Sequence, residues 1–248
     1  MLRSGGLVAF PTETVYGLGA DARNADAVAR IFAVKGRPQD HPLIVHIPGI
    51  EYLERWTCEV PAFALTLARR FWPGPLTLIL KRAHGVADAV TGAQDSVGLR
   101  VPSHPVAQAL LGAFAGEEGG HRFDGVAAPS ANRFGRISPT RAEHVRADLD
   151  GDIDMILDGG ACDIGIESTI VDCSRGAPVM LRPGRVSAAD IAAVAGVMPL
   201  AGERESPRAP GTLESHYAPR HPLKLVVSAQ LDGAISRSGA RRAVLSLR

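Results

Sequence analysis

Cysteine is scarce in this 248-residue chain: Cys58, Cys162 and Cys173 stand far apart, and no C-x-x-C pair occurs. So small and scattered a set supports neither a disulfide framework nor a zinc site, and no protein-held metal is expected. An excess of one charge is missing too. The formal net charge of +1 argues against a polybasic protein that holds nucleic acid by bulk electrostatics, so any anion site must rest on local clusters. No run approaches the roughly 18 apolar residues of a membrane helix, and the first residues lack a signal-peptide core. A cytoplasmic protein with free thiols and no membrane partner is expected. Also absent are the G-x-x-x-x-G-K-S/T phosphate loop, the H-E-x-x-H metal pair and the G-x-S-x-G nucleophile elbow. Bound nucleotide would therefore need some other cradle. There is no internal repeat or low-complexity tract.

What is present fits a folded domain, with 46% hydrophobic and 21% charged residues. Runs rich in Val, Ile and Leu predict strands at Gly6–Phe10, Leu43–Ile47, Leu76–Lys81, Ser96–Val101, Gly125–Ala128, Met155–Leu157, Ser168–Asp172 and Val179–Arg182. Helical spacing of apolar residues appears between them. Asn24–Val34 places Val28, Ile31 and Phe32 on one face, and Pro61–Phe71 does the same with Phe63, Leu67 and Phe71. Thr140 with Glu143, and Ser187 with Asp190, have the spacing of capping boxes. The expected fold is α/β or α+β around a twisted sheet. Residues 1–198 read as the main domain and 199–222, rich in Gly, Pro, Ser and charge, as a linker. Residues 223–248, with strands at Leu223–Val227 and Ala243–Leu247, read as an appendage or the opening of a truncated domain.

Four loop-like stretches carry hydroxyls or cations beside Gly or Pro. Pro11–Gly19 follows an apolar strand, where hydroxyls can line a ligand crevice or simply make a polar turn. Its Gly17-Leu-Gly19 with Ala22 mimics a dinucleotide fingerprint, but Thr12 to Tyr16 intervene between strand and first glycine, so a Rossmann site is not expected. Lys35 and Arg37 flank Gly36 at a helix end; they can meet phosphate, or merely compensate the helix dipole. His46 lies in an apolar strand, where a core histidine is the ordinary reading. Arg100 falls between Leu99 and Val101, and a buried guanidinium there needs an anionic partner, either a carboxylate such as Glu167 or a ligand. The densest stretch, Ala127–Thr140, offers Ser130, Asn132 and Ser138 among small residues that admit close approach.

In chain order, PTETVYGLG, KGRPQDHPLIVH, WPGPLT, VGLRVPSHP, APSAN with SPT, ESTIVD and LRPG resemble the Sua5/YrdC/YwlC family from about Gly5 to Gly184. Any one of these motifs is weak; seven in register are strong. The resemblance implies a twisted mixed sheet with flanking helices and a positively charged concavity. It implies L-threonylcarbamoyladenylate synthesis from L-threonine, bicarbonate and ATP, with pyrophosphate released and Mg²⁺ held mainly by phosphate oxygens. A separate transferase complex then modifies adenosine 37 of tRNA, and direct tRNA binding is possible. Carried over by motif, Thr14, His46, Arg100, Ser168 and the backbone at Ala128 are expected to bind threonine. Arg37, His41, Ser96, Ser130, Ser138 and Arg182 are expected to meet ATP, and Lys35 with Arg37 and Ser130 with Asn132 match the K-x-R and S-x-N signatures. Lys35 and Arg37 are the expected catalytic cations.

Ala209–Pro219 resembles the linker of the longer Sua5 subtype, S-P-G-M-x-Y-x-H-Y-A-P, with Thr212 and Glu214 replacing its methionine and first tyrosine. His216 and Tyr217 are retained as a lid. Against that family, both chain ends are expected to be incomplete. Two other readings are a double-stranded RNA module of the same fold and a hydrogenase-maturation step; the latter brings zinc fingers that this sequence lacks.

Overall fold

The computed structural model describes residues 1–116, 124–202 and 206–210, and all of them fall in one compact unit, Met1–Tyr217. The strands expected at Leu223–Val227 and Ala243–Leu247, and the lid residues His216 and Tyr217, lie outside the described residues.

Among the described residues ten strands make one sheet: β1 (Val8–Phe10), β2 (Gly17–Asp21), β3 (Ile44–His46), β4 (Leu76–Lys81), β5 (Ser96–Arg100), β6 (Val126–Ala127), β7 (Met155–Ile156), β8 (Thr169–Asp172), β9 (Val179–Arg182) and β10 (Leu200–Ala201). Their order is β10-β9-β8-β4-β5-β3-β6-β2-β1-β7. The sheet is mixed: β10–β9, β8–β4, β5–β3 and β1–β7 pair in parallel, and the other neighbours pair antiparallel. The α-helices of the described residues flank it: α1 (Ala25–Lys35), α2 (Leu53–Trp56), α3 (Ala62–Phe71), α4 (Asp88–Thr91), α5 (Pro105–Ala115), α6 (Ala142–Leu149) and α7 (Ala188–Ala195).

The eight strands expected from composition are all present, trimmed by a residue or two at some ends. β2 is the exception to that reading, because Gly17-Leu-Gly19-Ala-Asp21 shows no strand pattern. Its glycines answer to packing: a Cβ on Gly19 would sit 2.7 Å from Val126 Cγ1 and 2.9 Å from Phe10 Cε1. The G-x-G thus opens a strand and forms no phosphate turn, which removes the geometry a dinucleotide fingerprint needs. β10 falls where composition reads as linker.

α1 opens with Asn24, whose side chain accepts from the Ala27 amide at 3.1 Å, and ends at Gly36, φ 62°. The Ser187–Asp190 capping box forms at α7. The Thr140–Glu143 box does not: α6 starts at Ala142 without a side-chain cap. Thr140 sits too far upstream, its carbonyl accepting from the Cys162 amide at 2.9 Å and its hydroxyl meeting His144 Nδ1 at 3.5 Å.

Alternation along the strands divides the sheet into two faces. Leu76, Leu78 and Leu80 of β4, Val97 and Leu99 of β5, Val45 of β3 and Val171 of β8 join the main core with α1, α3, α6 and α7 residues. The intervening positions, Ile44, Ile79 and Ile170, form a separate cluster whose further buried member is Ala209. That second face also carries Thr77, Ser96, Gly98, His46 and Arg100, because each lies an odd number of residues from a core-facing neighbour. Of the expected site residues, His46, Ser96 and Arg100 are thus sorted to one side by strand register.

Candidate active site

Loops remote in sequence meet over the second face. The Thr12–Tyr16 turn is the hub: Tyr16 N–H donates to Pro139 O, Ala131 N–H to Tyr16 O, and the amides of Ile164 and Gly165 to Glu13 O and Thr14 O. Around it opens a hollow lined by Arg37, Arg100, Ser130 and Arg182, together with His46, Ala128 and Ser168. These residues come from α1's end, β3, β5, β9 and the loops after β6 and before β8.

At the inner end, Arg100 Nη2 donates to Glu13 Oε1 at 2.7 Å, and Nε to Gly74 O at 3.3 Å. Glu13 Oε2 accepts the Ser103 amide at 3.0 Å. The two side chains are 4% and 7% exposed. Glu13, not Glu167, is therefore the internal partner that the buried arginine required; the pairing spans 87 positions of sequence and arises only in three dimensions. Breaking such a pair by removing one member typically costs about 3–5 kcal/mol. His46 stacks edge-on to Phe10, with ring centroids 5.9 Å apart. Burial pushes its imidazole down to about 3, and the Arg100 guanidinium pushes the same way. It is neutral at physiological pH, and its Nδ1 has no hydrogen-bond partner among the described residues. Thr12 lines the hollow, and Thr14 stands behind it, hydroxyl to hydroxyl at 2.8 Å.

The rim end is built differently. Arg182 donates at 3.0 Å to Ser168 O, Ser168 Oγ and Pro210 O. Ser168 Oγ also lies 2.8 Å from Thr77 Oγ1. Glu167 Oε1 accepts from Ser138 Oγ at 2.7 Å, while Oε2 stays 3.7 Å from Arg182 Nη2. The segment 206–210 runs across the face, with Ala209 buried on Ile44, Ile79 and Ile170. Arg208 fastens it to Asp40 at 3.0 Å, to Gly92 O at 2.8 Å and to Gln94 Oε1 at 2.7 Å. Pro210 thereby borders both the main hollow and a second one, which contains Ser96 and Thr77.

The K-x-R and S-x-N signatures split their tasks. Arg37 and Ser130 face the hollow. Lys35 is 3% exposed, and its Nζ donates to Ser130 O at 2.5 Å and to Asn132 O. Burial pushes this ammonium down to about 7, with Arg37 acting in the same direction, while the two carbonyls favour the charged form. Asn132 turns its amide on Arg133 O and Arg136 O at 2.7 and 3.0 Å, so it braces its own loop. His41 stands outside the lining, edge-on to the Phe134 ring at 5.6 Å. Burial and then Arg37 hold its imidazole below the usual histidine range.

Glu13, Thr12, Thr77 and Pro210 are residues of this site that carry no role from the sequence. Thr77 had a readable signal: it alternates with Leu76 and Leu78 on an apolar strand, so it shares a face with Arg100. Glu13 and Pro210 had none, since both act through loops.

What the arrangement can do follows from its donors. Guanidiniums of Arg37, Arg100 and Arg182 with the Ser130 and Ser168 hydroxyls suit carboxylate and phosphate oxygens. Among the described residues there is no cluster of three or more His, Cys, Asp or Glu able to hold a metal. One carboxylate, Glu167, with the hydroxyl of Ser138 is a hard-oxygen set that fits Mg²⁺ when phosphates and water complete the shell.

A family model for Sua5, YciO and YrdC proteins, described as telomere recombination, matches residues 1–184. A second, the C-terminal domain of threonylcarbamoyl-AMP synthase, matches residues 186–247. The chain is 49% identical over 91% of its length to a threonylcarbamoyl-AMP synthase of Bacillus subtilis. It is 47% identical over 88% to that of Pyrococcus abyssi. It spans only 64% and 63% of these two relatives. The crystal structure of P. abyssi Sua5 complexed with L-threonine superposes with a TM-score of 0.80, at 46% identity, covering 88% of this chain and 63% of that one.

Proposed function

Because this chain belongs to the Sua5/YciO/YrdC family, we propose that it forms L-threonylcarbamoyl-adenylate from L-threonine, bicarbonate and ATP. The observation that carries this reading is the meeting of Arg37, Arg100, Ser130 and Arg182 around one hollow. Had they been spread over different faces, no single site could hold an amino acid beside a nucleotide.

Arg100, oriented by Glu13 and Gly74 O, takes the threonine carboxylate; its Nη1 is not used by the described hydrogen bonds. Neutral His46 and Ser168 flank the amino acid, with the Ala128 backbone closing the inner wall. The threonine amine adds to bicarbonate with loss of water, giving a carbamate. A carbamate oxygen then attacks the α-phosphorus of ATP, and pyrophosphate departs with the electron pair. Arg37, Ser130 and Arg182 stabilise negative charge on the phosphates as it builds, and no covalent enzyme intermediate is needed. Lys35 acts from behind, holding the Ser130 loop in place. Mg²⁺ supplies further neutralisation when bound with the nucleotide.

Ser96 lines the second hollow, which Pro210 borders together with the main one, and His41 lines neither. The product is a mixed anhydride suited to a separate transferase that modifies tRNA. Among the described residues no helix is long and apolar enough to cross a membrane. The free thiols of Cys58, Cys162 and Cys173 support a cytoplasmic site of action. The double-stranded RNA reading is not favoured, because the arginines converge inside a hollow instead of spacing along a groove.

The test is pyrophosphate release from ATP by the purified chain with Mg²⁺, threonine and bicarbonate, with mass detection of the acyl-adenylate. Omission of threonine or bicarbonate should abolish release. Turnover indifferent to threonine would sink the proposal.

A further inference from the structure

Glu167 is the one carboxylate lining a hollow otherwise furnished, among the described residues, with anion-binding groups. Its neighbours are Ser138 Oγ at 2.7 Å and Arg182 Nη2 at 3.7 Å, two donors suited to phosphate oxygens. A structural counter-ion would close on its arginine, as Glu13 does on Arg100 at 2.7 Å. Glu167 stays outside hydrogen-bond distance of Arg182, whose contacts include Ser168 O, Ser168 Oγ and Pro210 O. Its side chain is 18% exposed against 7% for Glu13. A metal-free triphosphate entering here would bring its own negative charge against this carboxylate. A divalent cation between the two removes the conflict. Magnesium is commonly held in this way, by one or two carboxylates plus substrate phosphates and water.

We infer that Glu167 is the protein ligand through which this site accepts its nucleotide as the magnesium complex and rejects the metal-free form. The inference rests on the nucleotide-binding reading above and deepens it. Glu167 bridges to the metal, Ser138 orients the carboxylate, and Arg182, held on Ser168 and Pro210, borders the same hollow.

The experiment is calorimetric binding of a non-cleavable α,β-methylene ATP analogue to the full chain, once with Mg²⁺ and once with EDTA, for wild type and Glu167→Gln. Glutamine preserves size and the contact with Ser138, and at a partly exposed position it leaves the fold intact, as circular dichroism will verify. Wild type should bind the magnesium complex at least about tenfold tighter than the metal-free analogue. In the variant the two affinities should fall within about threefold, the metal-free form gaining and the complex losing. A Glu167→Gln ratio equal to that of wild type would overturn the inference and leave nucleotide binding standing. Failure of wild type to bind either form would overturn the nucleotide reading itself, and this inference with it. Direct evidence comes from Mn²⁺ in place of Mg²⁺: the electron paramagnetic resonance spectrum of the ternary complex should change in Glu167→Gln, and an unaltered spectrum counts against coordination.

Discussion

The two arginine–carboxylate pairs of the hollow make opposite use of the same chemistry. Arg100 and Glu13 are in contact at 2.7 Å, both nearly sealed from solvent, and backbone groups of Gly74 and Ser103 fix each partner. Arg182 and Glu167 are 3.7 Å apart, at the rim, and each takes its tighter hydrogen bonds elsewhere. The inner pair is finished before any ligand arrives. The outer pair is provisional, its charges near enough to feel one another and loose enough to be re-partnered. Under the proposed function, the amino acid would meet a finished socket and the nucleotide one whose contacts can be exchanged.

The sharpest way to break this comparison is stability. Glu13→Ala strands a buried guanidinium and should destabilise the chain by about 3–5 kcal/mol. Glu167→Ala, at the looser pair, takes no direct hydrogen bond from Arg182 and should cost less, about 1–2 kcal/mol. Urea unfolding of both variants measures the difference, and equal losses would mean the two pairs are equivalent. Next in size is Arg100→Gln. Loss of a charge-assisted anchor of about 3 kcal/mol should raise the threonine KM roughly 100-fold with the nucleotide KM little changed. Arg182→Gln should do the reverse and more mildly, weakening nucleotide about tenfold and sparing threonine. Initial rates with each substrate varied in turn decide both. A shared effect on both substrates would show that inner and outer ends do not act separately.

The same contrast explains what could be read in advance. Strand runs and the position of Arg100 among apolar neighbours were enough to place a buried cation on the sheet and to demand an anion for it. Which anion answers was not legible, since Glu13 arrives on a turn 87 positions away. β2 escaped because its strand is set by Gly19 packing under Val126 and Phe10, a tertiary requirement with no local pattern. Lys35 is a subtler case. It lies seven residues after Val28, four after Ile31 and three after Phe32, on the buried stripe of α1, so helical spacing already pointed it inward. Adjacency to Arg37 in the motif made it look like a second phosphate ligand, while the structure spends its ammonium on Ser130 O and Asn132 O.

The smallest expected effect tests how dry the inner end is. His46 has its pKa pushed from 6.5 to about 3, by burial first and by Arg100 second. The folded chain therefore excludes a proton that the unfolded chain binds below about 6.5. This contribution to stability is fully present above that pH and is lost as pH falls toward about 3. In the range where the enzyme would work, His46 is neutral and adds no protonation step to threonine binding. Its imidazole resonance should stay fixed between pH 8 and pH 5, and His46→Gln should flatten the acid limb of the urea-unfolding profile. A His46 signal with a midpoint near 6.5 would mean that water reaches the ring, and the inner end would then be no more closed than the rim.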